Sequence, residues 1–161
     1  MIRTRVNTII TQFKSLNEEM MVAINDCTME QWQTIVPEEN RTASVMFHHI
    51  VSGYPYAAGW AIELATKEAL PPITMEDIHE INQKHADQFS EVTKEEVLRA
   101  QRENAALVIK QIRTLSDEQM EITAPFSMMG GRPINVHDLL SFLLVGHGIA
   151  HFEALKTAVN L

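Results

Sequence analysis

The chain is poor in the features that would settle its class at once. Cysteine occurs once, as Cys27, so no intrachain disulfide can form. Cys27 lies in "NDCTMEQ", which reads as a junction between helices, where a small residue sits near a helix end. A nucleophilic role would need a partner base, and no base stands close by in the sequence. Basic residues are scarce too: Lys and Arg number 13 against 21 Asp and Glu, for a formal net charge of −8. Such a chain repels phosphate backbones and carries no basic cluster to offset this, so no nucleic-acid partner is expected. No apolar run approaches the ~20 residues that span a bilayer. The N-terminal "MIRTRVNTIITQF" is basic but has neither a continuous apolar segment nor a small-residue cleavage site, so it is not read as a signal peptide. A cytoplasmic protein with no membrane partner is the expectation. No segment alternates strictly enough to predict a strand, and no HExxH motif occurs, which removes that metalloprotease reading.

What is present is helical periodicity. At 161 residues one domain over 1–161 is expected, large enough to bury a core without staples. In the first segment Val6, Ile9, Ile10, Phe13, Leu16, Met20 and Ile24 recur at spacings of three and four, with Lys14, Glu18 and Glu19 off the stripe. Thr28 followed by Gln31 reads as a capping box for a short turn. A second long helix is predicted from near Thr42 to about Ala69, with a kink near Tyr54 where Gly53, Pro55 and Gly59 interrupt it. Thr74 caps a polar helical piece, and Thr93 with Glu96 forms a capping box for a third long helix. The stripe of that helix, Val97 to Leu115, is interrupted by Gln101 and Asn104. "APFSMMGGRPIN" is the one glycine-rich loop, with Pro133 barring helix there. The last helix is predicted from Asn135 to about Val159. Four long helices with shorter connections make an all-α chain, an antiparallel four-helix bundle with short connecting helices.

The last helix carries "VGHGIAHFEAL". Its stripe runs through Leu139, Leu140, Leu143, His147, Ala150, His151, Ala154 and Leu155, so two imidazoles sit four residues apart where leucines would be expected. Residues so spaced are neighbours, about 5–6 Å apart at Cβ, and two such rings can reach one ion at ~2.0–2.1 Å. Gly146, Gly148 and Ala150 are small and leave room beside them. On the second helix, in "SVMFHHIVSG", His49 falls in line with Met46, Gly53 and Ala57, whereas His48 is turned about 100° away. Three core-facing histidines from two helices, His49, His147 and His151, would leave open positions on a metal ion, as a catalytic site does. A packed, hydrogen-bonded histidine is the alternative at each position. His137 reads as a cap or surface residue, and His79 and His85 as solvated. "EDIH" at 76–79 is a single Glu-x-x-His on an exposed-looking segment, where a di-iron bundle would use two.

These pieces together resemble a known family. "VMFHHIV", "IHEINQKHADQFSEVTKEEVLRAQRENAALVIKQIRTLSDEQM", "FSMMGGRPINVHDLL" and "GHGIAHFEAL" follow the order and spacing of the DinB-like (DinB/YfiT) superfamily. The resemblance implies a four-helix bundle with one divalent metal held by three histidines, here His49, His147 and His151. His49 is preferred to His48 because an aliphatic residue, Ile50, follows it. The family implies thiol-dependent transferases and isomerases, and often homodimers. After His151 this chain has Phe152, Glu153 and Ala154 where many members have Gly-Gln.

The expected function is therefore a metal-dependent transferase or hydrolase acting on a small-molecule substrate. An ion on three neutral imidazoles, with zinc the first choice and nickel or iron also suited, would activate a low-molecular-weight thiol or water against an electrophile. The alternative is a non-catalytic metal-binding stress-response bundle protein. Tyr54, Tyr56 and Arg132 are candidates to meet substrate, with packing or solvation the plainer reading of each. Gln101 and Asn104 are candidates to bond the histidines from outside.

Overall fold

The computed structural model describes residues 4–161. Four rods form the bundle: α1 (Thr4–Asp26), α3 (Ala43–Lys67), α5 (Lys94–Ile112) and a composite last rod. That last rod joins α6 (Val136–Leu140), a π-helical segment (Ser141–Gly146) and α7 (His147–Val159). Two short helices, α2 (Met29–Gln33) and α4 (Met75–Gln88), connect the rods. α1 packs on α5 and on the last rod, and α3 packs on the same two, so the cyclic order is α1, α5, α3, last rod. The fold is the expected antiparallel four-helix bundle with short connecting helices.

The helices begin where side chains can satisfy free backbone N–H groups. Thr28, Thr74 and Thr93 each close a capping box, with Gln31, Asp77 and Glu96. Thr42 caps α3 by accepting from the Val45 N–H. All seven stripe residues of α1 are buried. The junctions are tied across the bundle: the Trp32 indole donates to Val92 O at 3.0 Å, and Gln31 donates to Val159 O at 2.7 Å. The Lys94 ammonium bonds the Cys27 and Asn25 carbonyls at the end of α1, a cation where the helix dipole is negative.

α3 runs through Pro55 without a break. Pro55 has no N–H, so the carbonyl four residues back, Val51 O, loses its helical donor. Asn104 of α5 supplies one instead, its side-chain amide donating to Val51 O at 2.9 Å. Gln101, one turn earlier, donates to the Asn17 carbonyl at 2.9 Å and to the Asn17 side chain at 3.3 Å. Neither residue bonds a histidine; both clamp α5 to its two neighbours.

Two features depart from expectation. Two antiparallel ribbons are present: β1 (Ile35–Val36) with β2 (Arg41–Thr42), and β3 (Thr123–Phe126) with β4 (Arg132–Asn135). The second occupies the stretch read as a glycine-rich loop. Its pattern was hidden because Pro125 faces Pro133, yet Ala124, Phe126 and Ile134 are buried, and Gly130 and Gly131 take the positive φ of the turn. The other departure is the π turn, where the His147 N–H reaches Phe142 O, five residues back. It shifts the buried face downstream by one position. Gly148, Phe152, Leu155 and Val159 are buried in α7, Ala150 is exposed, and the two histidines lie half-buried at the edge of the stripe. By length and composition the rod Val136–Val159 also meets the criteria for a membrane span, although it contains no unbroken apolar run of that length; it packs on α1 and α3.

Asn104→Ala should cost about 1–3 kcal/mol by leaving Val51 O without a donor. Urea unfolding is expected to show a lower midpoint with unchanged slope. The cost should shrink in a Pro55→Ala background, where residue 55 regains the N–H that Val51 O needs.

Candidate metal centre

The site lies where α3 and α7 pass. Three residue contacts fix that crossing. Phe47, two before His49, meets Phe152, next to His151, with ring centroids 6.3 Å apart, and Trp32 stacks on Phe47 at 5.5 Å. Gly148, between His147 and His151, lies so close to α1 that a Cβ there would stand 2.8 Å from Leu16 Cδ2 and 3.7 Å from Ile50 Cγ2. Gly148 thus serves close helix approach. Gly146 and Ala150 are exposed, so the small residues do not open room beside the histidines as expected.

His49, His147 and His151 each present a ring nitrogen, and the three nitrogens lie within 4.8 Å of one another. The rings of His49 lie 5.5 Å from His147 and 5.1 Å from His151, steeply inclined to both. His147 Nε2 and His151 Nε2 stand 2.9 Å apart, with centroids 4.3 Å apart and planes at 84°. A second pair makes an instructive contrast. His48 Nδ1 and His85 Nε2 are 2.8 Å apart, but their centroids are 5.0 Å apart and their planes differ by 17°. Nearly coplanar rings with a long centroid distance meet nose to nose, which is a linear N–H···N hydrogen bond. The perpendicular His147–His151 pair is also within hydrogen-bond reach, but it has in addition the His49 nitrogen within 4.8 Å of both, the convergence that ligation needs.

Burial, then the neighbouring imidazoles of His151, His147 and His85, then the Arg41 charge, hold His49 down to about 3 from its ordinary value near 6.5. Burial followed by His151 lowers His147 to about 4, and burial followed by His48 and Arg41 lowers His85 to about 4. These rings are neutral at pH 7, the form in which imidazole ligates.

The remaining sequence candidates fall away from the triad. Tyr54 is buried, bonds Met20 Sδ at 3.5 Å and meets the Phe13 edge. Tyr56 is 60% exposed. Arg132 is exposed, its Nε donating to Met129 O. His137 contacts Asp138, and His79 is exposed. His85 is a correction: expected in solvent, it is half-buried, bonded to His48, tilted against Phe89 at 5.0 Å and 5.7 Å from the His49 ring. Glu39 was missed. It stands on the turn between β1 and β2, 3.1 Å from His151 Nδ1, with Arg41 4.0 Å away. Neither was visible in the sequence because α4 is polar and the Glu39 turn has no periodicity.

The depressed imidazoles make stability depend on pH. The unfolded chain takes up these protons near pH 6.5, whereas the folded chain takes them only near 3 to 4. Between those values the unfolded state binds more protons, so stability falls as pH falls. Urea titrations of metal-free protein are expected to show a steady decline from about pH 6.5 to about 4, and replacing His49 and His147 by Gln should flatten it.

No curated protein matches the chain by sequence. Its fold is similar to that of YfiT from Bacillus subtilis, described as a probable metal-dependent hydrolase with an unusual four-helix bundle topology. The two are 16% identical, with 99% of this chain and 89% of that chain covered and a TM-score of 0.77. At that identity the likeness speaks for the fold. The family model of the DinB superfamily matches residues 12–155, from the middle of α1 to the middle of α7, and the chain belongs to the DinB superfamily.

Proposed function

We propose that His49, His147 and His151 together hold one divalent ion and that the protein is a metal-dependent enzyme acting on a small electrophile. The carrying observation is the convergence of the three imidazoles: one ring nitrogen of each lies within 4.8 Å of the others, and those of His147 and His151 stand 2.9 Å apart. Without a cation or a bridging proton, two lone pairs at that distance repel inside a part-buried site. The description of YfiT as a probable metal-dependent hydrolase supports the same reading.

Bound there, a divalent ion supplies Lewis acidity and lowers the pKa of water or a thiol. The protein's own part is to hold two of the three donors, His49 and His147, neutral at pH 7 and to leave the ion's charge uncancelled. Three ligands from two rods leave positions open for a nucleophile and a substrate. Zinc suits such a set, and nickel and iron suit imidazole as well. The nucleophile is water in a hydrolase or a low-molecular-weight thiol in a transferase.

Elemental analysis of protein purified without added metal is expected to find one ion per chain. His49→Ala and His151→Ala, folded by circular dichroism, should lose it; full retention in either overturns the triad. Loss of a test epoxide in the presence of thiol or of water alone distinguishes transferase from hydrolase, and both rates should vanish in His151→Ala. Metal without turnover across a panel of electrophiles would instead identify a metal-binding protein without catalysis.

A further inference from the structure

His151 has two ring nitrogens, and the structure gives each a different neighbour. Nε2 faces His147 Nε2 at 2.9 Å. Nδ1 meets Glu39 Oε1 at 3.1 Å. A carboxylate only accepts hydrogen bonds, so a carboxylate beside Nδ1 favours the tautomer with the proton on Nδ1 and the Nε2 lone pair toward the triad. We propose that Glu39 is a positioning residue of the metal centre: it fixes the Nδ1–H tautomer and ring orientation of His151, so that Nε2 is the ligating atom. The inference rests on the metal-binding role given to the triad above.

The local backbone is built to keep Glu39 there. Val36 O accepts from the N–H of both Glu39 and Asn40, at 3.2 and 2.9 Å. Asn40 takes a left-handed φ of 52°, which Asn tolerates better than most residues. Val36 pairs with Arg41 across the ribbon, β1 packs on α7, and β2 runs into the Thr42 cap of α3. The turn is thus joined to both helices that carry the triad. The Glu39 side chain is 28% exposed and that of His151 19%, so water competes only partly for this contact. Arg41 stands 4.0 Å from the Glu39 carboxylate, on the strand that leads into the α3 cap.

The test uses the full chain with zinc alone as the probe, in competition with a chelating dye. Glu39→Ala is expected to weaken zinc binding by about 10–100-fold, the usual effect of removing an outer partner of a ligating histidine. Glu39→Gln retains an acceptor oxygen and should recover most of that loss. Two-bond ¹⁵N–¹H spectra of metal-free protein should show His151 as the Nδ1–H tautomer in the wild type and Glu39→Gln, and a shift toward Nε2–H in Glu39→Ala. Unchanged zinc affinity in Glu39→Ala, or an Nε2–H tautomer in the wild type, overturns the inference. His151→Ala, run alongside, separates the two failures. If it keeps zinc, the triad is wrong; if it loses zinc while Glu39→Ala does not, only the role of Glu39 falls.

Discussion

Two imidazole nitrogens held 2.9 Å apart with their rings at right angles are the constraint on which the rest of this bundle depends. A polar pair in a half-buried position is costly unless a shared proton or a bound cation satisfies it. Burial and mutual repulsion keep His49 and His147 uncharged. The arrangement is stable in the helix crossing only because apolar contacts around it hold α3 and α7 fixed. The Trp32–Phe47–Phe152 column and the close approach at Gly148 do this within two residues of each ligand candidate.

Polar groups elsewhere in the core follow the same economy of satisfaction. Asn104 answers the carbonyl that Pro55 orphans, Gln101 answers Asn17, and the Trp32 indole answers Val92. Each bond also joins two elements, so groups that would otherwise weaken the interior specify which rods are neighbours. The His48–His85 bond adds α4, a helix with no buried residue, to the rim of the metal centre.

Much of this was legible in the sequence. The α1 stripe, the Thr capping boxes and the start of α3 follow from local rules of spacing and capping, and the structure has them where those rules put them. His49, His147 and His151 were found from their place relative to apolar neighbours on two helices, and the structure brings their nitrogens together. What was hidden depends on long-range or irregular geometry. The π turn moves burial from positions 147 and 151 to Gly148 and Phe152, which no 3.6-residue pattern can announce. The β3–β4 ribbon is masked by its facing prolines. Glu39 and His85 reach the site from a turn and a polar helix, and only the packed chain shows which side chains they meet.

The π turn also bears on how this rod tolerates change in length. Val136–Leu140 leads in from the β3–β4 ribbon, while His147–Val159 is seated against the first ribbon. The six residues between them absorb one surplus residue by a looser winding. Deleting a single residue there would restore ordinary winding and keep both imidazoles at the crossing, whereas a second deletion, with no surplus left to remove, would swing everything beyond it by about 100° around the axis. The spacer's residue count, more than its chemistry, is thus the quantity that ties the two ends of the rod to one another.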